Sequence, residues 1–340
     1  MERKRIGGIT GVLLVFGLLI APDLALAQTI KLKYHEAFAQ AGYNLPVRWW
    51  MDEVEKRTEG KVKFDRIWGG ALGKLSEQPM AIKAGSFDLG QVSCVYNPGL
   101  YPTMTLTILP FLGDNVLAHA KAAHDYFQMP VQEARFTVLN QKYMMNGVWL
   151  TTEMMSHDPV RTIEDMRKIK TRAHGGAGDA LKALGITTYA VPWGELPAAA
   201  ERRVVDAAIM GCPVDAYDFG FGSIFSYWER IKFYYMPYTL VINMDTWNKL
   251  PANVQQVMND VNKIMPTKAY ELYRDEELKA EKSLLAGGRV KIVQFEEMAK
   301  LKAEAGKPVW DKWVADSKTQ GVDDGRALLD TFLKLLKKYE

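Results

Sequence analysis

Short segments in which apolar and polar residues alternate are separated along the chain by helical patterns. Residues 29–34 and 62–67 alternate with a period of two, which predicts strands that bury one face. Between them, Pro46 precedes apolar residues at helical spacing, which predicts a helix over 46–57. This order of strand, helix and strand predicts α/β lobes with mainly parallel sheets.

The same alternation of strands and helices continues through the middle of the chain. We predict a helix over 77–84, a strand over 87–92, a strand near 147–150, a helix over 162–167, a strand over 168–173, a helix over 179–184 and a strand near 188–191. The glycine-rich segment 175–178 is expected to be a loop between a strand and a helix.

The C-terminal third of the chain is almost wholly helical in pattern. Apolar residues after Pro251 fall on one helical face, and the pattern continues past Pro266 to residue 285. This predicts one long helix that Pro266 kinks without ending it. A further amphipathic helix is predicted over 328–336.

The N-terminus has the three-part order of a secretory signal peptide. Basic residues 3–5 precede an apolar run over 6–20, and the small-residue motif 25–27 follows. The run is shorter than the roughly 18–20 residues that span a bilayer, although an uncleaved membrane anchor is the alternative. We therefore expect residues 1–27 to be cleaved and the mature chain to be soluble in the periplasm.

The charge balance narrows the classes of partner. The chain has 43 basic and 40 acidic residues and a formal net charge of +3, which gives no reason to expect nucleic acid or an anionic membrane surface as a partner. A length of 340 residues suggests roughly two lobes of 100–200 residues each. We expect a monomer.

The two cysteines leave their pairing open. Cys94 and Cys212 would be free to pair in an oxidising compartment, but two buried thiols in separate elements are the alternative. Their spacing along the chain does not decide between these states.

Motifs of secreted enzymes and metal sites are not found in the sequence. His119 and His124 are five residues apart, which on a helix places them on different faces and excludes an HExxH zinc site. There is no G-x-S-x-G nucleophile elbow and no acidic calcium loop. We expect no catalytic residues, metal or cofactor, and we interpret the histidines as surface residues.

Arg172 is the strongest single candidate for a ligand contact. It lies three residues before the glycine-rich segment at 175–178, where exposed amides at a helix start would favour an anion. A guanidinium holds a carboxylate through two parallel hydrogen bonds. A structural ion pair at Arg172 is the alternative.

The chain resembles a known family over essentially its whole mature length. The resemblance rests on the following stretches, in this order: Gly69-Gly70-Ala71-Leu72-Gly73, Ala84-Gly85-Ser86-Phe87-Asp88-Leu89-Gly90, Leu109-Pro110-Phe111, residues 163–172, Val191-Pro192-Trp193-Gly194-Glu195 and Arg203-Val204-Val205-Asp206-Ala207. They are similar to the DctP-type substrate-binding proteins of TRAP (tripartite ATP-independent periplasmic) transporters.

The resemblance implies a fold and a function. The implied fold is an α/β, two-lobed, type II-like periplasmic binding protein with crossing strands and a long helix that spans both lobes. We expect lobe I to comprise residues 28–148 with 238–270, and lobe II residues 149–237 with 271–340. The implied function is capture of a small organic carboxylate by hinge closure and its delivery to TRAP membrane permease subunits.

The resemblance also implies a set of ligand contacts. It assigns the ligand carboxylate to Arg172, and it places the remaining contacts at His35, Glu36, Ser93, Tyr96, Trp149, Trp193, Met210 and Tyr238. For the apolar members of this set, ordinary core packing is the alternative.

Three positions depart from the pattern of the family. Many members have an arginine where this chain has Trp149 and an asparagine where it has Met210, and a subgroup that binds keto acids through a metal has a glutamate where it has Ile209. These departures predict a drier pocket that takes an aromatic or otherwise hydrophobic monocarboxylate, held by Arg172 between Trp149 and Trp193. A periplasmic sensor domain, and a secreted enzyme, are the alternative functions.

Overall fold

The computed structural model of the chain describes residues 29–340, except for the side chains of residues 148–150. The predicted signal peptide at 1–27 therefore lies outside the described residues. Within the described part, nine strands form one sheet. They are β1 (Ile30–His35), β2 (Val62–Ile67), β3 (Leu89–Val92), β4 (Gln141–Ser156), β5 (Thr171–Arg172), β6 (Thr188–Tyr189), β7 (Ala207–Gly211), β8 (Tyr227–Asn243) and β9 (Lys291–Val293).

Helices flank this sheet. They are α1 (Leu45–Arg57), α2 (Gln78–Lys83), α3 (Val116–Phe127), α4 (Pro130–Val138), α5 (Ile163–Arg167), α6 (Gly175–Ala183), α7 (Leu196–Glu201), α8 (Val214–Asp218), α9 (Met244–Lys249), α10 (Ala252–Leu285), α11 (Met298–Ala305), α12 (Lys307–Ser317) and α13 (Gly325–Tyr339). None of the helices within residues 29–340 combines the length and apolar character that a membrane crossing requires.

The strand order is β2-β1-β3-β8-β4-β7-β5-β6, with β9 paired to β8. The outer pairs are parallel, as the alternation of strands and helices predicts. The two longest strands, β4 and β8, instead pair antiparallel to each other along most of their lengths. They are the crossing strands, because β8 also pairs with β3 on one side of the sheet while β4 pairs with β7 on the other.

Local patterns account for the first elements. In β1, Leu32 and Tyr34 are buried while Lys31 and Lys33 are exposed, which is the alternation that predicts a strand with one buried face. In α1, Pro46 occupies the first turn, where its missing N–H costs no helical hydrogen bond, and an apolar stripe faces the core.

The long helix α10 runs through Pro266 to Leu285, so the prediction of one helix that extends past the proline is confirmed. It packs against α1, α3 and α8 as well as β4. Its apolar face belongs mainly to a core with α1 and β1, while Leu284 belongs to a second core with α7, β7 and α8. The predicted two-lobed α/β fold with a spanning helix is confirmed; the exact lobe boundaries stay a prediction.

The glycine-rich segment 175–178 is not a loop, so that prediction is wrong. Helix α6 begins at Gly175, and Gly176 and Gly178 are buried in its first turn. A Cβ atom at Gly176 would overlap the carbonyl oxygen of Ile108. These glycines therefore let the helix approach a neighbouring segment closely, which a sequence motif does not distinguish from a ligand-binding loop.

The interpretation of His119 and His124 as surface residues is also wrong. Both are buried on α3, with 1% and 8% exposure. His119 Nε2 lies 2.9 Å from the carbonyl oxygen of Thr107, and His124 Nδ1 lies 3.0 Å from the Tyr143 hydroxyl. The helix packs on both β4 and α13, so it buries more than one face, which its sequence spacing alone does not reveal.

The two cysteines are free thiols in this structure, and both are buried. Of the two alternatives that the sequence left open, the structure therefore has separate buried thiols. Burial raises the pKa of the Cys94 thiol to about 12, so this thiol is not a nucleophile at neutral pH.

Candidate functional site

A cavity lies against the sheet where β3, β4, β5, β7 and β8 come together with α8. It encloses about 720 Å³ of space not filled by atoms, including open solvent at its mouth. Side chains and backbone of residues far apart in sequence form its wall: Phe38, Tyr43, Leu75, Gln91, Ser93, Val95, Tyr96, Thr152, Arg172, His174, Trp193, Ile209, Met210, Gly211, Asp215, Phe219, Tyr234, Met236, Pro237 and Tyr238. The wall is mainly apolar and aromatic, as in most small-molecule sites.

Arg172, at the end of β5, is the cationic group of this wall. Only 5% of it is exposed. Its Nη1 donates to the carbonyl oxygen of Ile209 at 3.0 Å, and its Nε donates to that of Val191 at 3.3 Å. These two backbone bonds fix the plane of the guanidinium and leave further N–H groups for a ligand.

The guanidinium has no carboxylate partner within 4.0 Å among the described residues; the ion pairs of this part of the chain involve other arginines and lysines. The structural ion pair considered as an alternative for Arg172 is therefore not formed there. Burial lowers the pKa of Arg172, and Tyr96 and Tyr234 counteract this effect. A buried cation without an anionic partner is costly, so the geometry favours an anionic ligand.

Trp193 packs over the guanidinium of Arg172. It lies in the 3-10 turn Trp193–Glu195 and is half-buried. Phe219 and Phe221 contact its ring edge to face, with centroids 5.1 and 5.4 Å away. This cluster holds the indole in one orientation at the cavity wall, where it offers an aromatic face to an apolar ligand.

Ser93, Tyr96, Met210 and Tyr238 also line the cavity. Including Arg172 and Trp193, six of the nine predicted contacts therefore lie in its wall. Ser93 follows β3, and its hydroxyl accepts a hydrogen bond from the amide of Val95. Met210 lies within β7 and is buried. That these residues contact the ligand stays a prediction.

The remaining three predicted contacts are placed differently. His35 is fully buried and outside the cavity wall, where its Nε2 accepts a 3.1 Å hydrogen bond from the amide of Leu72 in the glycine-rich turn after β2. Burial lowers the pKa of His35.

Trp149 lies in β4, in register with Pro237 of β8. The structure does not describe its side chain, so its contact with the ligand stays a prediction.

Glu36 is fully buried behind the cavity wall. Its Oε2 accepts hydrogen bonds from the hydroxyls of Tyr34 at 2.8 Å and Tyr238 at 2.7 Å, and the two tyrosine hydroxyls also contact each other. Burial raises the pKa of Glu36, and the two tyrosine hydrogen bonds oppose that rise. Glu36 thus orients Tyr238, which itself faces the cavity.

Sequence reasoning missed several members of the wall, among them Phe38, Tyr43, Asp215, Phe219 and Tyr234. Phe38 and Tyr43 lie in the segment between β1 and α1, Tyr234 lies within β8, and Asp215 and Phe219 lie in α8 and directly after it. No local signal in the sequence identifies them, because only the tertiary packing of these separate elements brings them to one cavity.

Within residues 29–340, no group of three or more histidine, cysteine or acidic side chains is arranged to hold a metal ion. The cavity wall contains the guanidinium of Arg172, the carboxyl group of Asp215, hydroxyl groups and aromatic rings. Such a set of groups can bind and orient a small organic anion.

The family comparison matches most of the chain. The family model DctP, "Bacterial extracellular solute-binding protein, family 7", matches residues 43–316. A monocarboxylate 2-oxoacid-binding periplasmic protein of Nostoc sp. strain PCC 7120 is 24% identical over 295 residues, which cover 77% of each chain.

Solved structures share the fold over nearly the whole length. A TRAP periplasmic solute-binding protein from Desulfovibrio salexigens has a TM-score of 0.79 and 25% identity, covering 92% of this chain and 97% of that one. A TRAP solute-binding protein from Rhodoferax ferrireducens, solved with copurified benzoate, has a TM-score of 0.80 and 22% identity, covering 92% and 98%.

Proposed function

This chain belongs to the DctP family of bacterial extracellular solute-binding proteins, and on that premise we propose that it captures an aromatic or otherwise hydrophobic monocarboxylate in the periplasm. In this proposal the two lobes close on the acid like a hinge, and the closed form delivers it to the integral subunits of a TRAP permease. The protein binds and releases its ligand without chemical change.

The observation that carries this proposal is the state of Arg172. A guanidinium with 5% exposure and no carboxylate partner among the described residues lies in a wall made mostly of apolar and aromatic groups. One anionic group on the ligand would satisfy Arg172, and the rest of the wall favours apolar surface on the ligand.

The charged hydrogen bonds and the apolar wall should contribute similar amounts to the binding free energy. A charge-assisted hydrogen bond contributes roughly 1.5–3 kcal/mol, so two bonds from Arg172 would supply about 3–6 kcal/mol before desolvation. Burial of about 150–250 Å² of aromatic surface contributes about 4–6 kcal/mol. An acid without an apolar body would therefore lose about half of the binding free energy.

The Rhodoferax relative supports an aromatic monocarboxylate as ligand, and the Nostoc relative supports a monocarboxylate in general. The Rhodoferax protein was solved with benzoate, and the Nostoc protein is named for monocarboxylate 2-oxoacids. Both ligands combine one carboxylate with a small body. The predicted signal peptide at 1–27 supports a periplasmic location, where a TRAP permease receives its substrate.

A thermal-shift screen of the mature chain against aromatic, keto, sugar and dicarboxylic acids tests the proposal. A ligand at one hundred times its dissociation constant adds about 2.7 kcal/mol of stability, which raises the melting temperature measurably. We expect aromatic monocarboxylates to give the largest shifts. Shifts from sugar acids or dicarboxylates alone would contradict the proposed ligand class.

A further inference from the structure

Asp215 is a part of the cavity wall that the proposed function does not use. It lies in the short helix α8 directly after the β7 strand, and 5% of it is exposed. It lines the same cavity as Arg172. Its Oδ1 is buried and has no hydrogen-bond partner among the described residues.

A second wall residue shares this property. Gln91, on β3, is also buried, and its Oε1 has no hydrogen-bond partner in the described part of the chain. Buried polar groups in folded proteins are almost always hydrogen-bonded, because an unpartnered one lowers stability. The hydroxyl of Tyr43, also in the wall, is a third such group, and all three are candidate ligand contacts.

The surroundings of Asp215 keep its carboxyl group neutral at pH 7. Its pKa is raised to about 8, mainly by burial and also by Asp218 on the same helix, while Arg172 opposes the rise. Other titratable groups near Asp215 are Tyr43, Tyr96, Cys212 and Tyr273. A protonated carboxyl group has both a donor and an acceptor, which a carboxylate does not.

We propose that Asp215 is a specificity residue that recognises a hydroxyl group on the bound acid. The hydroxyl accepts a hydrogen bond from the carboxyl group and donates one back, while Arg172 holds the carboxylate of the same ligand. The ligand class is a hydroxylated aromatic or hydrophobic monocarboxylate. This inference rests on the proposed function, because it needs an acid in this cavity.

Titration calorimetry with matched pairs of acids tests the inference. The probes are benzoate with 3-hydroxybenzoate and 4-hydroxybenzoate, and phenylacetate with mandelate, at pH 6.5. We expect at least one hydroxyl to improve the affinity of the native protein roughly five- to tenfold, as one or two net hydrogen bonds would. Asp215→Asn keeps a donor and an acceptor and should keep this gain, whereas Asp215→Leu should lose it.

The pH dependence gives a second readout. Between pH 6.5 and pH 9, Asp215 ionises and repels the anionic ligand, so every acid should bind the native protein more weakly. Asp215→Asn cannot ionise and should not show this loss. Equal losses in both proteins would overturn the inference even if the leucine variant did not fold.

The outcomes separate this inference from the proposed function. If no acid binds the native protein, the proposed function fails and the inference fails with it. If acids bind the native protein but a hydroxyl group does not improve their affinity, the proposed function stands and the inference is overturned. The same conclusion follows if the hydroxyl group improves the affinity equally in Asp215→Leu. We expect Asp215→Leu to melt no lower than the native protein, because it removes an unpartnered buried oxygen.

Discussion

The guanidinium carbon of Arg172 lies 5.6 Å from the centroid of the Trp193 ring. This cation–π contact covers one face of the guanidinium, while two backbone carbonyls hold its edge. The guanidinium is thus held in one orientation by uncharged groups, which do not neutralise its charge. The arrangement prepares the arginine for an anion before the anion arrives, which lowers the entropic cost of binding.

Replacement of Arg172 by alanine should abolish carboxylate binding without unfolding the protein. Loss of a bidentate charge-assisted pair should weaken the affinity at least about 100-fold. Calorimetry measures the affinity, and circular dichroism with thermal melting measures the fold. Arg202→Ala, at an exposed site on the surface, is the control and should bind as the native protein does. Retained affinity in Arg172→Ala would remove this residue from the site.

Glu36→Gln should destabilise the protein and weaken ligand binding together. The amide can replace only one of the two carboxylate oxygens, whereas Glu36 accepts from two tyrosine hydroxyls through Oε2 and from the amide of Phe38 through Oε1. We expect a loss of about 1–3 kcal/mol in the free energy of unfolding. Urea unfolding measures it, with the exposed Glu133→Gln as the control.

The loss of affinity in Glu36→Gln should come from a misplaced Tyr238 ring. Tyr238→Phe, which removes one donor from the network but keeps the ring, should cost about 1 kcal/mol of stability. An unchanged unfolding free energy in Glu36→Gln would show that the network does not stabilise the fold.

Two glycines of the same helical turn should respond oppositely to alanine. At Gly176 the added methyl group would overlap the Ile108 carbonyl, so Gly176→Ala should destabilise the protein by several kcal/mol. At Gly178 the nearest atom is 3.6 Å from the added carbon, and alanine should stabilise the helix by up to about 1 kcal/mol. Thermal melting of both variants compares them directly. Similar effects at both positions would contradict the close-packing role of Gly176.

The contribution of His119 and His124 to stability should fall as the pH is lowered from about 6.5 towards 4. Burial lowers the pKa of both side chains to about 4, so at these two positions the unfolded chain binds more protons than the folded one in this range. Each histidine should lower the free energy of unfolding by about 2 kcal/mol between pH 7 and pH 4.5. Urea unfolding at both pH values tests this.

The variants His119→Asn and His124→Asn identify the source of the acid effect. Each should be less stable than the native protein at pH 7, because it loses packing, but its unfolding free energy should change between pH 7 and pH 4.5 by about 2 kcal/mol less in the destabilising direction. The same pH-dependent change in the native protein and in both variants would show that these histidines do not contribute to it.

Part of the cavity wall was predictable from the sequence, because matching residues in a family mark equivalent places in one fold. Arg172, Trp193 and Tyr238 were expected in this way and do line the cavity. Glu36 was expected as a ligand contact but is buried behind the cavity wall, where its carboxylate orients Tyr238. Counting along a chain locates a strand end, but it does not tell which side chain there faces the cavity.

The sequence by itself determined the order and type of the elements, since strands and helices follow from local periodicity. It also determined the family, and with it the two-lobed fold. Only the tertiary structure decided that His119 and His124 are buried, that the glycines at 176 and 178 belong to a helix, and that Asp215 faces Arg172's cavity. Burial, close approach and charge state depend on segments distant in sequence, and those contacts exist only once β4, β8 and the helices have packed together.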